Sequence, residues 1–256
     1  MFKNILKGLE AYSGTFALIS KLKLWNYFAI PIVISIVTSL TIGVTVYGLS
    51  DNIGRFISSI WPWDFGKETF TSISTFIGAI VIIAIGLILY KHIIMALSAP
   101  FMSPVSEKIE THLTGIEKHQ HRNTTFGQQL WRGIRINLRN LGKELLITIP
   151  ILMLKFIPVI NIFSTVLLFL VQAYYAGFGN MDYTLERHFK YGESVQFVRK
   201  YRGIAIGNGI VFILLLLVPI IGIILVLPLS VTAASLKTVT LLKEERRLNN
   251  SEIKVL

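Results

Sequence analysis

The chain has 256 residues, of which 53% are hydrophobic and only 15% are charged, and it contains no cysteine. Soluble domains carry about 25% charged residues, and the missing cysteines exclude disulfides, thiol nucleophiles and thiolate metal sites. The net charge of +11 fits a membrane protein with Lys and Arg on its cytoplasmic side, and it does not indicate a nucleic-acid partner. The apolar residues fall in long blocks, which predicts an all-α integral membrane protein with one membrane domain over residues 1–256.

The first predicted element is an amphipathic helix over residues 1–22. Apolar side chains recur there at helical spacing, with Lys3, Lys7 and Glu10 between them. This helix is expected either to lie in the membrane interface or to pack on the rest of the fold.

Two spanning helices are predicted next, over residues 24–49 and 73–97, because both blocks are apolar and long enough for a bilayer core of about 30 Å. Lys91 and His92 lie near the end of the second block, and Pro100 is expected to bend or stop the helix. The outer flanks are rich in Lys and Arg, whereas the connection between the two spans is not. Both chain ends are therefore predicted to be cytoplasmic.

Residues 98–143 are predicted to form cytoplasmic helices, and the part from Thr125 to Lys143 is amphipathic. One side is an apolar stripe, and the other carries four basic side chains: Arg132, Arg135, Arg139 and Lys143. Two interpretations of this basic stripe stay open. It lines an anion vestibule or an oligomer contact, or it binds phospholipid head groups.

Two longer apolar blocks, residues 145–178 and 204–242, form an internal repeat with a proline near the middle of each. An arm of such a block is about 20 Å long at roughly 1.5 Å per residue, which is short for a spanning helix. Each block is therefore predicted to be a helical hairpin that enters the membrane and returns, with a C-terminal tail over 243–256. A single kinked span per block stays open as an alternative, and it would move residues 182–202 to the outside.

The tips of these hairpins are candidate pore elements, because non-helical backbone inside a membrane must pack on protein or line a wet cavity. Lys155 precedes the first tip and either attracts an anion near mid-membrane or reaches the outer head groups. The predicted pore and tip residues are Lys155, Pro158, Asn161, Pro219 and Gly222.

A candidate anion site lies at the start of the first span, where a helix N-terminus with free backbone N–H groups is flanked by two lysines. Ordinary cytoplasmic flanking lysines explain the same pattern, so both interpretations stay open. The candidate residues are Lys21, Lys23, Leu24, Trp25 and Asn26.

Enzymatic motifs are absent from the sequence. It contains no phosphate-binding glycine loop and no dinucleotide fingerprint, and no cofactor or enzyme activity is expected. His112, His119 and His121 cluster in a polar segment, where a metal site or a solvated linker are the two interpretations.

Several short segments occur in a fixed order along the chain: Leu97-Ser98-Ala99-Pro100-Phe101, Ser106-Glu107-Lys108-Ile109-Glu110, Leu113-Thr114-Gly115, Phe156-Ile157-Pro158, Asp182-Tyr183 with Arg187, Val218-Pro219-Ile220-Ile221-Gly222 and Thr232-Ala233-Ala234. Their order resembles that of the CysZ sulfate permeases, which group with the etoposide-induced protein family of eukaryotes. The resemblance implies two full spans, two partly penetrating hairpins, an oligomer in the inner membrane, and sulfate uptake for cysteine biosynthesis without ATP.

The same family carries a Gly-hydrophobic-Arg-Arg sequence at the start of its first span, and it is associated with sulfate binding. By spacing to Pro31, the matching positions here are Lys23, Leu24, Trp25 and Asn26, so both arginines are replaced. The expected function is an inner-membrane anion channel or permease for sulfate, homo-oligomeric and in contact with membrane lipids. The alternative is a non-transporting membrane scaffold or lipid-interacting protein.

Overall fold

The computed structural model describes residues 1–59, 67–115, 124–154, 158–218 and 220–253. These described residues form nine α-helices and no strand, which agrees with the predicted all-α class. In chain order the helices are α1 (Phe2–Glu10), α2 (Thr15–Lys21), α3 (Trp25–Ser58), α4 (Lys67–Thr114), α5 (Phe126–Leu154), α6 (Pro158–His188), α7 (Tyr191–Lys200), α8 (Arg202–Leu216) and α9 (Ile221–Ile253).

Four of these helices contain stretches long and apolar enough to cross a membrane, counted over the described residues. They are Trp25–Leu49 in α3, Ile85–Thr114 in α4, Ile160–His188 in α6 and Ile221–Glu245 in α9. Only 11% of the most apolar window of α3 is buried, although α3 packs along α4. Most of that helix surface is therefore available to lipid, as expected of a multi-pass membrane protein.

The sequence predicts that Pro100 bends or stops the helix. In the structure α4 does not stop there but continues to Thr114. Proline cannot bond to the carbonyl four residues earlier, which here belongs to Ala96. Gly133 of α5 packs against that carbonyl, since a Cβ on Gly133 would lie 2.8 Å from the Ala96 oxygen. Buried neighbours such as Met102 continue the core past the proline, so tertiary packing maintains the helix there.

The N-terminal segment forms two helices where the sequence predicts one. Gly14 separates them with a φ of 77°, a left-handed conformation that suits glycine. Helix α1 then packs on α8, because a Cβ on Gly8 would lie only 2.6 Å from the Ile204 carbonyl oxygen. The Tyr12 hydroxyl also binds this segment to α8 and α9. Its oxygen lies 2.8 Å from both the Asn208 carbonyl oxygen and the Ser230 hydroxyl oxygen.

Helix α8 is equally close to α6 on another side. A Cβ on Gly209 would collide with the backbone carbonyl of Ala173, and one on Gly177 would collide with that of Ala205. Small residues allow this backbone-to-backbone approach between membrane helices. The Gly207-Asn208-Gly209 segment therefore serves helix packing on both α1 and α6.

Each of the two long C-terminal blocks contains two successive helices that contact each other, and the second helix begins at or shortly after the predicted proline. Helix α5 ends at Leu154 and contacts α6, which begins at Pro158, and α8 ends at Leu216 and contacts α9, which begins at Ile221. The predicted tip residues Lys155 and Pro219 lie outside the described residues. The predicted C-terminal tail is helical to Ile253, as part of α9. How deeply either hairpin enters the membrane stays a prediction.

Candidate functional site

A basic pocket lies where the start of α3 meets the end of α4. Its volume is about 420 Å³, and its lining residues are Lys21, Leu22, Lys23, Lys108, Thr111 and His112. Lys21 and Lys23 were predicted from the sequence as anion ligands, whereas Lys108 and Thr111 were not. His112 was assigned to a histidine cluster, whose other members, His119 and His121, lie outside the described residues.

The chain positions the two predicted lysines through a tight turn between α2 and α3. Lys23 adopts a positive φ of 54°, and the Leu24 backbone N–H then donates to the Ile19 carbonyl oxygen at 2.9 Å. Leu24 is fully buried in the core, which anchors the turn. Lys21 and Lys23 remain exposed on either side of it.

The other predicted residues at this helix start do not line the pocket. Trp25 packs edge-on against Phe16 and Phe28, and its indole N–H lies 3.4 Å from the Ser20 hydroxyl. Asn26 is exposed in the first turn of α3. Whether Leu24, Trp25 and Asn26 contact an ion stays a prediction.

The pocket is electropositive, because none of its six lining residues is acidic. The Lys108 ammonium lies 4.9 Å from the centre of the Tyr27 ring, a contact that does not neutralise its charge. Thr111 adds a hydroxyl that can donate a hydrogen bond. Such a set of donors suits a small oxyanion.

Two carboxylates, those of Glu107 and Glu110, are adjacent in sequence to lining residues, but neither lines the pocket, and Glu107 is exposed on α4. Glu110 is buried and accepts from Arg187 Nη2 at 2.9 Å, and His188 Nε2 lies 3.1 Å from the same oxygen. Arg187 also donates to the Ser103 carbonyl and the Ser106 hydroxyl. Glu110 therefore belongs to the α4–α6 interface and does not neutralise the pocket.

This interface unites two of the segments that carry the family resemblance. Besides the Glu110–Arg187 pair, the Tyr183 hydroxyl donates to the Met95 carbonyl at 2.7 Å, and the Ser106 hydroxyl donates to the Tyr183 carbonyl at 3.2 Å. In this chain these residues join α4 to α6.

The predicted basic stripe on α5 is divided among different environments. Arg132 is inside the protein, where it binds both carboxylate oxygens of Asp182 at 3.1 and 2.9 Å and the Ser194 hydroxyl at 2.6 Å. Arg135 and Arg139 instead lie over aromatic rings near the surface. The prediction of one uniform basic face is therefore wrong for Arg132, because a carboxylate from α6 draws it inward.

The core contains an ionic cluster that sequence reasoning missed. Lys91 Nζ lies 2.6 Å from Glu144 Oε1, and His92 Nε2 lies 3.0 Å from Glu144 Oε2. The signal was present, because Asn137, Asn140, Glu144 and Thr148 recur at helical spacing and form the buried face of α5. A polar stripe on a helix with an apolar opposite side indicates a polar interior.

The predicted hairpin-tip residues have separate environments. Pro158 begins α6, a position where proline is favoured, and Asn161 is exposed on the same helix. Gly222 is buried, and a Cβ on it would collide with the Leu215 carbonyl of α8. Gly222 therefore serves the close packing of the second hairpin, and a pore role for these residues stays a prediction.

Comparison with known proteins identifies the family but no individual relative. A comparison with curated proteins returns no match. A family model described as "Sulfate transporter CysZ/Etoposide-induced protein 2.4" matches residues 11–227. This match covers most of the chain, from the turn after α1 to the second turn of α9, and it includes the basic pocket and the α4–α6 interface. The chain therefore belongs to the CysZ/etoposide-induced protein family.

Proposed function

We propose that this protein is an anion channel or permease of the bacterial inner membrane, with sulfate as its leading substrate. The observation that carries the proposal is the pocket at the start of α3, in which three lysines and a histidine meet without an acidic residue. The family description supports the assignment to sulfate. Uptake for cysteine biosynthesis, passage without ATP and a homo-oligomeric assembly are parts of the same proposal.

The pocket would act as the capture site for the anion. Lysine ammonium groups are compact point charges, whereas arginine offers a planar fork that grips an oxyanion in two places. Capture by Lys21, Lys23 and Lys108 would therefore depend on charge more than on shape. We expect weaker discrimination between sulfate and phosphate here than in family members that carry the arginine pair.

The flux test uses purified protein in liposomes and radioactive sulfate, with chloride and phosphate as competitors. Lys23→Gln and Lys108→Gln are each expected to weaken the apparent affinity for sulfate roughly two- to fivefold, because exposed charge pairs are worth about 1 kcal/mol or less. Lys7→Gln is the matched control, since Lys7 is an exposed lysine of α1 that does not line the pocket. Its flux should equal that of the wild type.

Two results would contradict this proposal. No sulfate entry above that of empty liposomes would favour the scaffold or lipid-interacting alternative. Normal affinity in a Lys21→Gln, Lys23→Gln, Lys108→Gln triple variant would leave transport in place but remove the pocket from its mechanism.

The hairpin topology is the second part of the proposal. Helix α8 has 15 residues, about 22 Å at roughly 1.5 Å per residue, which is less than a hydrocarbon core of about 30 Å. A hairpin penetrates only as far as its shorter arm, so α9 would return to the side from which α8 entered. The polar α7 would then be cytoplasmic, together with both chain ends.

Cysteine labelling in intact cells tests this topology in a chain that has no cysteine of its own. Gly192 is exposed and a side chain added there meets open space, so Gly192→Cys should leave the fold intact. We expect an impermeant maleimide to label it only after the cells are opened. Ser59→Cys, at the opposite end of α3 from the pocket, should be labelled from outside. Labelling of position 192 in intact cells would establish the single kinked spans instead.

A further inference from the structure

An open cavity of about 430 Å³ lies on the outer surface of α5, beside α7. Its lining residues are Trp131, Ile134, Arg135, Leu138, Arg139 and Tyr191. The lining is mixed in character, because two guanidinium groups stand beside two side chains that are mostly exposed, Trp131 at 66% and Leu138 at 66%. Exposed tryptophan beside basic side chains is typical of the membrane–water boundary.

The two arginines are held in place by contacts that leave their charge available. The Arg135 guanidinium carbon lies 4.2 Å from the centre of the Tyr191 ring, and that of Arg139 lies 5.2 Å from the Phe178 ring. Arg139 also donates to the Asn140 side-chain oxygen at 2.9 Å. Among the described residues no carboxylate forms an ion pair with either arginine, whereas the neighbouring Arg132 has Asp182.

An apolar face continues from the cavity along the same side of α5. Leu138, Leu145, Ile149 and Leu152 follow one another at helical spacing, and all four are exposed. From Leu138 to Leu152 the helix rises about 21 Å at roughly 1.5 Å per residue. This exceeds one leaflet, which is half of a hydrocarbon core of about 30 Å.

We propose that this surface binds an anionic phospholipid. The phosphate would lie against Arg135 and Arg139, with Trp131 at head-group level, and one acyl chain would follow the exposed apolar face toward Leu152. A soluble anion needs only the two arginines and leaves the apolar face without a role. A second copy of the chain packed symmetrically on this surface would bring its own two arginines against these, which is unfavourable. The site is separate from the pocket at α3 and does not depend on the transport activity.

The test measures lipid binding to the full-length protein in detergent, by native mass spectrometry and by the shift in melting temperature. Phosphatidylglycerol should bind and raise the melting temperature, whereas phosphatidylcholine at the same concentration should do so far less. Arg135→Gln with Arg139→Gln should weaken phosphatidylglycerol binding roughly 25-fold, since each basic side chain near an anionic lipid contributes about fivefold. The melting temperature without added lipid should fall only slightly, because each exposed contact between an arginine and an aromatic ring is worth about 0.5–1 kcal/mol.

Lys143→Gln is the matched control, because Lys143 is an exposed basic residue one turn further along α5 that does not line the cavity. Its lipid affinity should stay within about twofold of the wild type, because a solvent-exposed charge outside the cavity contributes little. Leu145→Gln should weaken lipid binding without removing a charge, which separates a lipid from a free anion.

Three outcomes would overturn the proposal. Equal weakening by Lys143→Gln would mean a diffuse basic surface without a specific site. Equal protection by inorganic phosphate would make the cavity an ordinary anion site. A change of oligomer mass in the double arginine variant, with lipid binding intact, would identify the surface as a contact between two copies of the chain.

Discussion

Glu144→Gln is expected to lower the free energy of unfolding by about 3–5 kcal/mol, the range found when one partner of a buried ion pair is removed. Lys91 and Glu144 are 2% and 1% exposed, with 2.6 Å between Nζ and Oε1. Glutamine keeps the size of the side chain but leaves the Lys91 ammonium without a counter-charge in a membrane-embedded helix, where such charges are especially unfavourable. Thermal unfolding in detergent gives the measurement.

A double-mutant cycle separates the ion pair from simple packing loss. Lys91→Met alone should also destabilise, because it removes the ammonium that pairs with Glu144 and leaves the contact with His92 at 3.0 Å. The combination of Lys91→Met and Glu144→Gln should recover much of the loss, since no unpaired charge remains. Glu107→Gln removes an exposed carboxylate of α4 and should leave the melting temperature unchanged. Wild-type stability of Glu144→Gln would show that the pair is not desolvated.

Gly209→Ala is expected to lower the free energy of unfolding by about 3 kcal/mol or more, a large effect for one added methyl group. The added Cβ would collide with the Ala173 carbonyl of α6. A backbone atom cannot move aside as the end of a flexible side chain can. Helices α6 and α8 would have to separate, which would also disturb the docking of α1. The measurement is the melting temperature together with the yield of monodisperse protein.

The matched control for this prediction is Gly142→Ala on α5. Its Cβ would meet open space, and alanine is favoured over glycine in a helix by about 1 kcal/mol. The control variant should therefore be as stable as the wild type or slightly more so. A stable Gly209→Ala protein would mean that α6 and α8 lie further apart than described.

The fold class and the first span were predictable because they depend on local composition. Residues 24–49 form an uncharged apolar block, and the apolar stretch of α3, Trp25–Leu49, matches it within one residue. The start of α6 at Pro158 agrees with the preference for proline at the first position of a helix. The passage of α4 through Pro100 was not predictable from local composition, because α4 packs there on α5 through Gly133, which is distant in sequence.

Part of the candidate site was predictable from local composition, and part depends on contacts between distant segments. Lys21 and Lys23 are neighbours of a predicted helix start, whereas Lys108 joins them only because α3 and α4 run alongside each other. The Lys91–Glu144 pair joins residues 53 positions apart, and helical periodicity carries no information on such pairings. The sequence shows the apolar stripe of α5 but does not say which way it faces. In a membrane protein such a stripe can face lipid, and the buried face of α5 is the polar one.

The docking of α1 on α8 has a consequence for biosynthesis. Gly8 packs against the Ile204 carbonyl and Gly207, so α1 leaves the ribosome about 200 residues before its binding surface on α8 is made. At about 5–20 residues per second, α1 waits roughly 10–40 s for its partner. During that interval α8 is not yet available to the apolar side of α1, and we expect α1 to lie on the membrane surface. A deletion of α1 should therefore leave insertion of the spans intact, but α8 and α9 would lose the packing that α1 supplies.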